Sequence, residues 1–254
     1  FFNMVDRCIA VSHASQRVME LRFNLSCPIK IIPNSLIFPK LSYRKTNGLF
    51  VDKITLGTAS RLVSLKGISV SILTIKELIS RGINAELIIA GKGPNESSLK
   101  NLVQTLNLED KVKFIGFQDN LNDFYQKIDI YMSTPATEPF GLSCLESLYY
   151  NTPVLFPLID GQPEVMSEPT DGIGLVPTID FTTHAELTGT VIDFPHHVYD
   201  PINDALVPPK MLSHLDCADA LINYINKNTI NNISIEREIF DYKKYIVKLD
   251  DGFC

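Results

Sequence analysis

From residue 53 onward, short apolar runs alternate with longer amphipathic ones, and this alternation constrains the fold more than any other feature. KITLGTAS, AELIIAG, KVKFIGF, DIYMST and TPVLFPL read as strands. Between them, RLVSLKG leads a helix to about Ser80, and GKGPNESS leads one to about Leu106. LNDFYQKI is a short helix, and EPFG opens one ending near Tyr150, with Pro139 in its first turn. Apolar strands alternating with helices build β-α-β units, hence an α/β fold whose parallel sheet is flanked by helices. Ligands of such sheets bind beyond the carboxyl ends of the strands. Arg61, Gly91 to Gly93, Phe117 and Glu138 are therefore expected along one rim.

The flanking regions are less regular. DRCIAVS and PIKIIPNS read as short strands around a helix, SHASQRVMELRF, and as pieces of a different domain. Residues 178 to 212 carry prolines, the adjacent pair His196 and His197, and no clean period. They read as a long excursion with a small hairpin, the histidines on its surface. SHLDCADALINYINKN is a helix, with Ser213 as its cap and Asp216 completing a capping box. SIEREIFDYKKYIVKL is another.

Composition narrows the function. The chain is 45% hydrophobic and 20% charged, ordinary for a soluble globular protein. A net charge of −6 argues against nucleic acid or an anionic membrane as a bulk partner. No apolar run approaches the roughly 20 residues a membrane-spanning helix needs. The five scattered cysteines read as reduced thiols of a cytoplasmic protein rather than a disulfide frame or a metal site. GKGPNESS has no GK[ST] and reads as a strand-to-helix turn rather than a phosphate loop. Without an initiator Met or a secretory leader, the expectation is that the chain begins within a longer protein.

Two segments carry chemistry. RLVSLKG places Arg61 at a strand end and Lys66 at the start of the next helix, a site for a dianion such as a diphosphate. On spacing alone, two solvated surface cations are the stronger reading. In TPATEPFGLSCLESLYYNTPVLF, Glu138 and Glu146 are eight residues apart. The amides of Phe140, Gly141, Leu142 and Ser143 are donors at a positive helix end. Glu138 would reach the ligand rim, where a carboxylate suits two neighbouring sugar hydroxyls. Glu146 lies two turns deeper between the uncharged flanks SCL and SLYY, where a carboxylate needs partners. It could grip a second diol such as a ribose. Alternatively, Glu138 merely favours the helix dipole and Glu146 lies on the surface. The uncharged flanks place the functional reading ahead. Cys144 inside this helix reads as a small buried residue.

The spacing E-PFGLSCL-E resembles the E-x7-E motif of the retaining GT-B glycosyltransferases, glycosyltransferase family 4 in particular. TASRLVSLKG resembles that family's Arg…Lys-Gly segment, AELIIAGKGPNESSLKNLV its Gly-x-Gly-Pro turn, KVKFIGF its base-side strand and TPVLFPLIDGQPEVM its Gly-x-Pro-Glu turn. IAVS and KIIPNS look like the end of its N-terminal domain. The likeness runs from about residue 5 to residue 177.

The resemblance implies the C-terminal, donor-binding half of a GT-B fold, with a Rossmann-like sheet. It divides the chain into an acceptor-domain remnant and linker (1–38), a donor domain (39–230) and a C-terminal helix or tail (231–254). Arg61 and Lys66 would bind the donor diphosphate, Glu138 the transferred sugar, and the amides of Phe140, Gly141 and Leu142 sugar and phosphate. Glu146 would bind the ribose, and Phe117 and Gln118 would flank the base. The donor would be a UDP- or GDP-linked sugar and the acceptor a glycan or a lipid-linked acceptor, with no metal, no cofactor and no enzymatic nucleophile. An N-terminal domain, in cis or as a separate chain, would complete the site and make any membrane contact. A nucleotide-sugar-binding module acting with a partner chain is the alternative. IPNS replaces a Pro-Asn-Gly turn and Asp160-Gly161-Gln162 replaces a Gly-Gly pair, which leaves the sugar contact from the second loop open.

Overall fold

A computed structural model describes residues 4–37, 52–166, 172–227 and 240–253. In chain order the elements are β1 (Cys8–Ala10), α1 (His13–Phe23), β2 (Ile29–Ile31), β3 (Ile54–Ala59), α2 (Ile68–Ser80), β4 (Ala85–Ala90), α3 (Glu96–Thr105), β5 (Val112–Gly116) and α4 (Asn122–Lys127). There follow β6 (Ile130–Met132), α5 (Leu142–Tyr149), β7 (Val154–Pro157), β8 (Gly172–Leu175), α6 (Phe181–Thr188), β9 (Val198–Asp200), β10 (Ala205–Val207), α7 (His214–Asn226) and α8 (Tyr242–Phe253).

Six strands form one sheet in the order β5-β4-β3-β6-β7-β8, and every pairing is parallel. The central strands β3, β6 and β7 are covered on both faces and buried along their whole length, whereas the edge strand β5 alternates between more and less buried residues. All six residues of β3 are buried. On one face Leu56 and Ile130 pack with Ile72 and Ile75 of α2, Leu99 and Val103 of α3, and Leu221 of α7. On the other, Tyr131 and Val154 pack with Phe124 and Tyr125 of α4 and Leu145 and Leu148 of α5. β1 and β2 pair in parallel in a separate two-stranded sheet. The sheet expected from the apolar alternation is therefore present. The expected domain boundaries, at 38/39 and 230/231, fall outside the described residues. The four described cysteines are free thiols.

Four expectations need correction. α5 begins at Leu142, so Pro139 precedes the helix instead of opening it. Gly141, at φ 101°, is the cap, and this left-handed turn sets the start of the helix. Second, the 178–212 excursion holds more than its expected hairpin, β9 with β10. It also contains α6, capped by the Asp180 carboxylate on the Thr183 amide (2.9 Å). Third, the Ser213 hydroxyl caps α7 on the Asp216 amide as read, but the Asp216 carboxylate accepts from Thr178 (3.4 Å), so only half the box forms. Fourth, the last helix begins at Tyr242; of the segment read as helical before it, Phe240 and Asp241 are not, and the rest lies outside the described residues.

α6 docks by burying His184 against Ser69 of α2, with Oγ and Nε2 3.1 Å apart. Burial pushes the His184 imidazole down to about 4, below the ~6.5 of an unfolded chain. Between those values the unfolded chain binds a proton that the folded chain refuses. Stability should therefore fall as the pH drops from about 6.5 to about 4, by at most about 3 kcal/mol. Urea unfolding across that range should show a shallower pH slope for His184→Gln; an unchanged slope would assign the acid sensitivity elsewhere.

Candidate functional site

The chain passes from β3 outward through β4 and β5, then returns to lay β6 on the other side of β3. This reversal opens a crevice beyond the carboxyl ends of β3 and β6, where open α/β sheets take ligands. The loop after β3 carries Arg61, and the loop after β6 carries Glu138.

Three adjoining cavities line this rim. The first, about 460 Å³, is walled by Ser60, Arg61, Gly91, Lys92, Phe117 and Leu121 and is mostly apolar. The second, about 400 Å³, shares Ala59, Ser60 and Arg61 with the first and adds Lys66, Glu138 and the Phe140–Ser143 segment. The third, about 410 Å³, shares Gln118 and Leu121 with the first and ends on Tyr125, Glu146 and Tyr150. Arg61, Gly91, Lys92, Phe117 and Glu138 therefore lie along one trough, whereas Gly93, expected with them, packs against the Leu62 backbone and lines none of the three cavities. Glu146, however, opens into the third cavity, away from the one that holds Glu138.

In the second cavity Lys66 Nζ donates to Glu138 Oε2 at 2.6 Å. The two groups read as separate phosphate and sugar ligands are thus also each other's partner. Arg61 is exposed and makes no ion pair among the described residues. Opposite the cations, the earliest helical amides to find a carbonyl are those of Cys144 and Leu145, both on Gly141 O. The amides of Leu142 and Ser143 come before them and remain available at the positive end of α5. Gly141 brings this backbone close to the cavity, and Asn34 of the IPNS turn closes its far wall.

At the apolar end, Phe117 is 63% exposed and lines the first cavity. The Gln118 side chain is tied back, its Nε2 donating to Ile115 O (2.6 Å), which leaves the backbone there to meet a ligand. In the third cavity burial raises the Glu146 carboxyl above its usual range, opposed by the Tyr125 hydroxyl, which donates to Oε2 at 2.8 Å. Tyr125 is held by stacking on Tyr150, with ring centroids 5.2 Å apart. Cys144 is fully buried and its thiol is pushed up to about 12, so it is a packing residue. His196 and His197 are exposed, and the described residues hold no cluster of three potential metal ligands.

Sequence reasoning passed over the groups that fix the Glu138 loop. The Ser12 hydroxyl donates to Pro139 O (2.7 Å). The Glu164 carboxylate accepts from the His13 and Ala14 amides (2.7 and 2.8 Å) at the start of α1. Asp160 holds Thr137 and Glu138. Their signal lies in IAVSHA and IDGQPE, of which the resemblance gives only the second a role, a sugar contact, and neither a part in holding the Glu138 loop.

The family model of Glycosyl transferases group 1 matches residues 40–188, more than half of the chain. The chain belongs to this family. Among curated relatives, it is 31% identical to the uncharacterized glycosyltransferase MJ1607 of Methanocaldococcus jannaschii over 140 residues, 54% of the chain and 36% of that protein. Against the GPI3 subunit of the Saccharomyces cerevisiae phosphatidylinositol N-acetylglucosaminyltransferase it is 28% identical over 170 residues, 64% of the chain and 38% of the subunit. The chain thus spans little more than a third of the length of these relatives. Its fold matches Anabaena Alr3699/HepE, solved with UDP and glucose, at a TM-score of 0.70 and 17% identity over 99% of this chain and 63% of that one. The fold is accordingly that of a GT-B glycosyltransferase half, as the sequence resemblance implied.

Removing the Tyr125 hydroxyl takes away a donor to the charged form of Glu146. Tyr125→Phe should therefore move the Glu146 carboxyl titration, followed by carbon-13 NMR, further upward. A downward shift, or none, would show that the hydroxyl does not support the carboxylate.

Proposed function

We propose that the chain is the donor-binding half of a retaining glycosyltransferase of family 4 type, taking a hexose from a nucleoside diphosphate sugar. The observation that carries this reading is the second cavity, where Arg61, Lys66, Glu138 and the amides opening α5 converge. Two cations beside a positive helix end suit a diphosphate. A carboxylate anchored among them suits the hydroxyls of the sugar attached to it. The adjoining apolar cavity with Phe117 accepts a base, and Glu146 beyond Leu121 accepts a ribose diol. UDP is the favoured nucleotide because relatives of this fold were solved with it, among them Alr3699/HepE and the pneumococcal O-GlcNAc transferase GtfA.

In this reading the bond between the anomeric carbon and the β-phosphate oxygen breaks, and a bond to the acceptor hydroxyl forms on the same face. The acceptor proton passes to the leaving phosphate. Arg61, Lys66 and the helix amides stabilise the charge that grows on that phosphate, so the charge work requires neither metal nor cofactor. Glu138, paired with Lys66, orients the sugar and couples its position to that of the diphosphate. The acceptor, a glycan or lipid-linked molecule, would be held by an N-terminal domain in cis or on a partner chain.

Calorimetric titration with UDP, GDP, UDP-glucose, UDP-N-acetylglucosamine and GDP-mannose, without metal, tests the reading. One nucleotide family should bind. Arg61→Ala with Lys66→Ala should weaken that nucleotide at least about tenfold, since each charged hydrogen bond is worth about 1.5–3 kcal/mol. Equal affinities in the double variant and the unaltered chain would overturn the placement of the diphosphate.

A further inference from the structure

Asp160 belongs to the Asp160-Gly161-Gln162 segment that replaces a Gly-Gly pair of the resembling family, and its side chain makes bonds that a glycine cannot. The residue is 7% exposed and adopts φ 47°, a left-handed conformation that aspartate tolerates better than most side chains. Its Oδ2 accepts from the Thr137 hydroxyl (2.6 Å) and the Glu138 amide (2.9 Å). Its Oδ1 accepts from the Tyr199 amide (2.9 Å), and its own amide donates to Tyr199 O (2.9 Å). The Gly161 amide donates to Glu138 O at 3.3 Å. A side chain at 161 would bring its Cβ to 2.0 Å from Pro139 O, so glycine is required there. Residues 160 and 161 thus grip Glu138 at its amide and at its carbonyl.

The grip continues beyond the site. Tyr199 lies in β9, and its hydroxyl donates to Asp204 Oδ1 (2.8 Å). Asp204 also receives Arg17 of α1, whose Nε lies 2.7 Å from Oδ1 and whose second terminal nitrogen lies 2.9 Å from Oδ2. An unbroken series of bonds therefore runs from α1 through the 198–207 hairpin to the Glu138 backbone.

We propose that Asp160 is a positioning residue for Glu138, setting where its carboxylate meets the donor sugar and making that position depend on the hairpin. The inference rests on the donor-binding reading above. Asp160 does not line the cavity itself; it acts through the Glu138 amide.

The test compares affinities for UDP and for the better bound of UDP-glucose and UDP-N-acetylglucosamine, using the whole chain. Asp160→Gly keeps the left-handed backbone and removes all three carboxylate bonds. It should weaken the UDP-sugar about tenfold and leave UDP within about twofold, and in a Glu138→Ala background it should have no further effect, as expected of two groups acting as one unit. Thr137→Val, which loses a single donor, should shift the ratio in the same direction by a smaller factor. It decides the question if Asp160→Gly fails to fold by thermal melting. A purely structural role would lower the melting temperature without changing the ratio of the two affinities. An unchanged ratio in both variants while Glu138→Ala lowers it, or additive effects in the double variant, would overturn the proposal. An unchanged ratio in Glu138→Ala itself would instead sink the donor reading, and this inference with it.

Discussion

The site depends on one pairing, β3 alongside β6, with Leu56 opposite Ile130 and Gly57 opposite Tyr131. Parallel strands that are neighbours in space but not consecutive in the chain must send their following loops apart, and the gap between those loops is the crevice. Arg61 reaches that gap from one side and Glu138 from the other. Shifting the pairing by one residue would reverse which side chains of β3 face α2, so the apolar core of the sheet and the placement of the two charged loops are specified together.

The second constraint is on the loop between β6 and α5. A loop bearing a carboxylate beside two cations would collapse onto them unless its backbone were fixed elsewhere. Here the Ser12 hydroxyl holds Pro139, and Asp160 and Gly161 hold Glu138. With the backbone held, the Lys66–Glu138 pair is a preset arrangement, which on the proposed reading a diphosphate sugar would share. Preset charge of this kind needs no reorganisation when charge develops on a leaving group. The same bonds join α1, outside the six-stranded sheet, to the loop that carries Glu138.

Much of this was legible in the sequence where burial is complete. β3, β4, β6 and β7 are apolar runs bounded by turns, and their helices follow from the same periodicity. The chain was less transparent where backbone conformation outweighs hydrophobicity. GIGL of β8 was not read as a strand because two glycines weaken its strand signal, yet it pairs along its length with β7. The start of α5 was misplaced because Pro139 suggests a first helical turn, whereas the left-handed Gly141 delays it. α6 was missed because Phe181–Thr188 is short and rich in threonine, and its stability comes from the Asp180 cap and from burying His184. Spacing and resemblance together single out Arg61, Lys66, Glu138 and Glu146 as candidates. Asp160 showed only as a departure from a pattern, because its role lies in contacts with residues 137 and 199, which no local motif records.

The central claim is that a nucleoside diphosphate binds in the trough between the β3 and β6 loops, its phosphates on the amides that open α5. Nitrogen-15 correlation spectra of the labelled chain, recorded during titration with UDP, test it most directly. The account predicts that the Gly141, Leu142 and Ser143 amides move most, with Phe117 and Gln118 moving in step at the same ligand concentrations. Shifts confined to other parts of the surface, with those five amides unmoved at saturation, would contradict it.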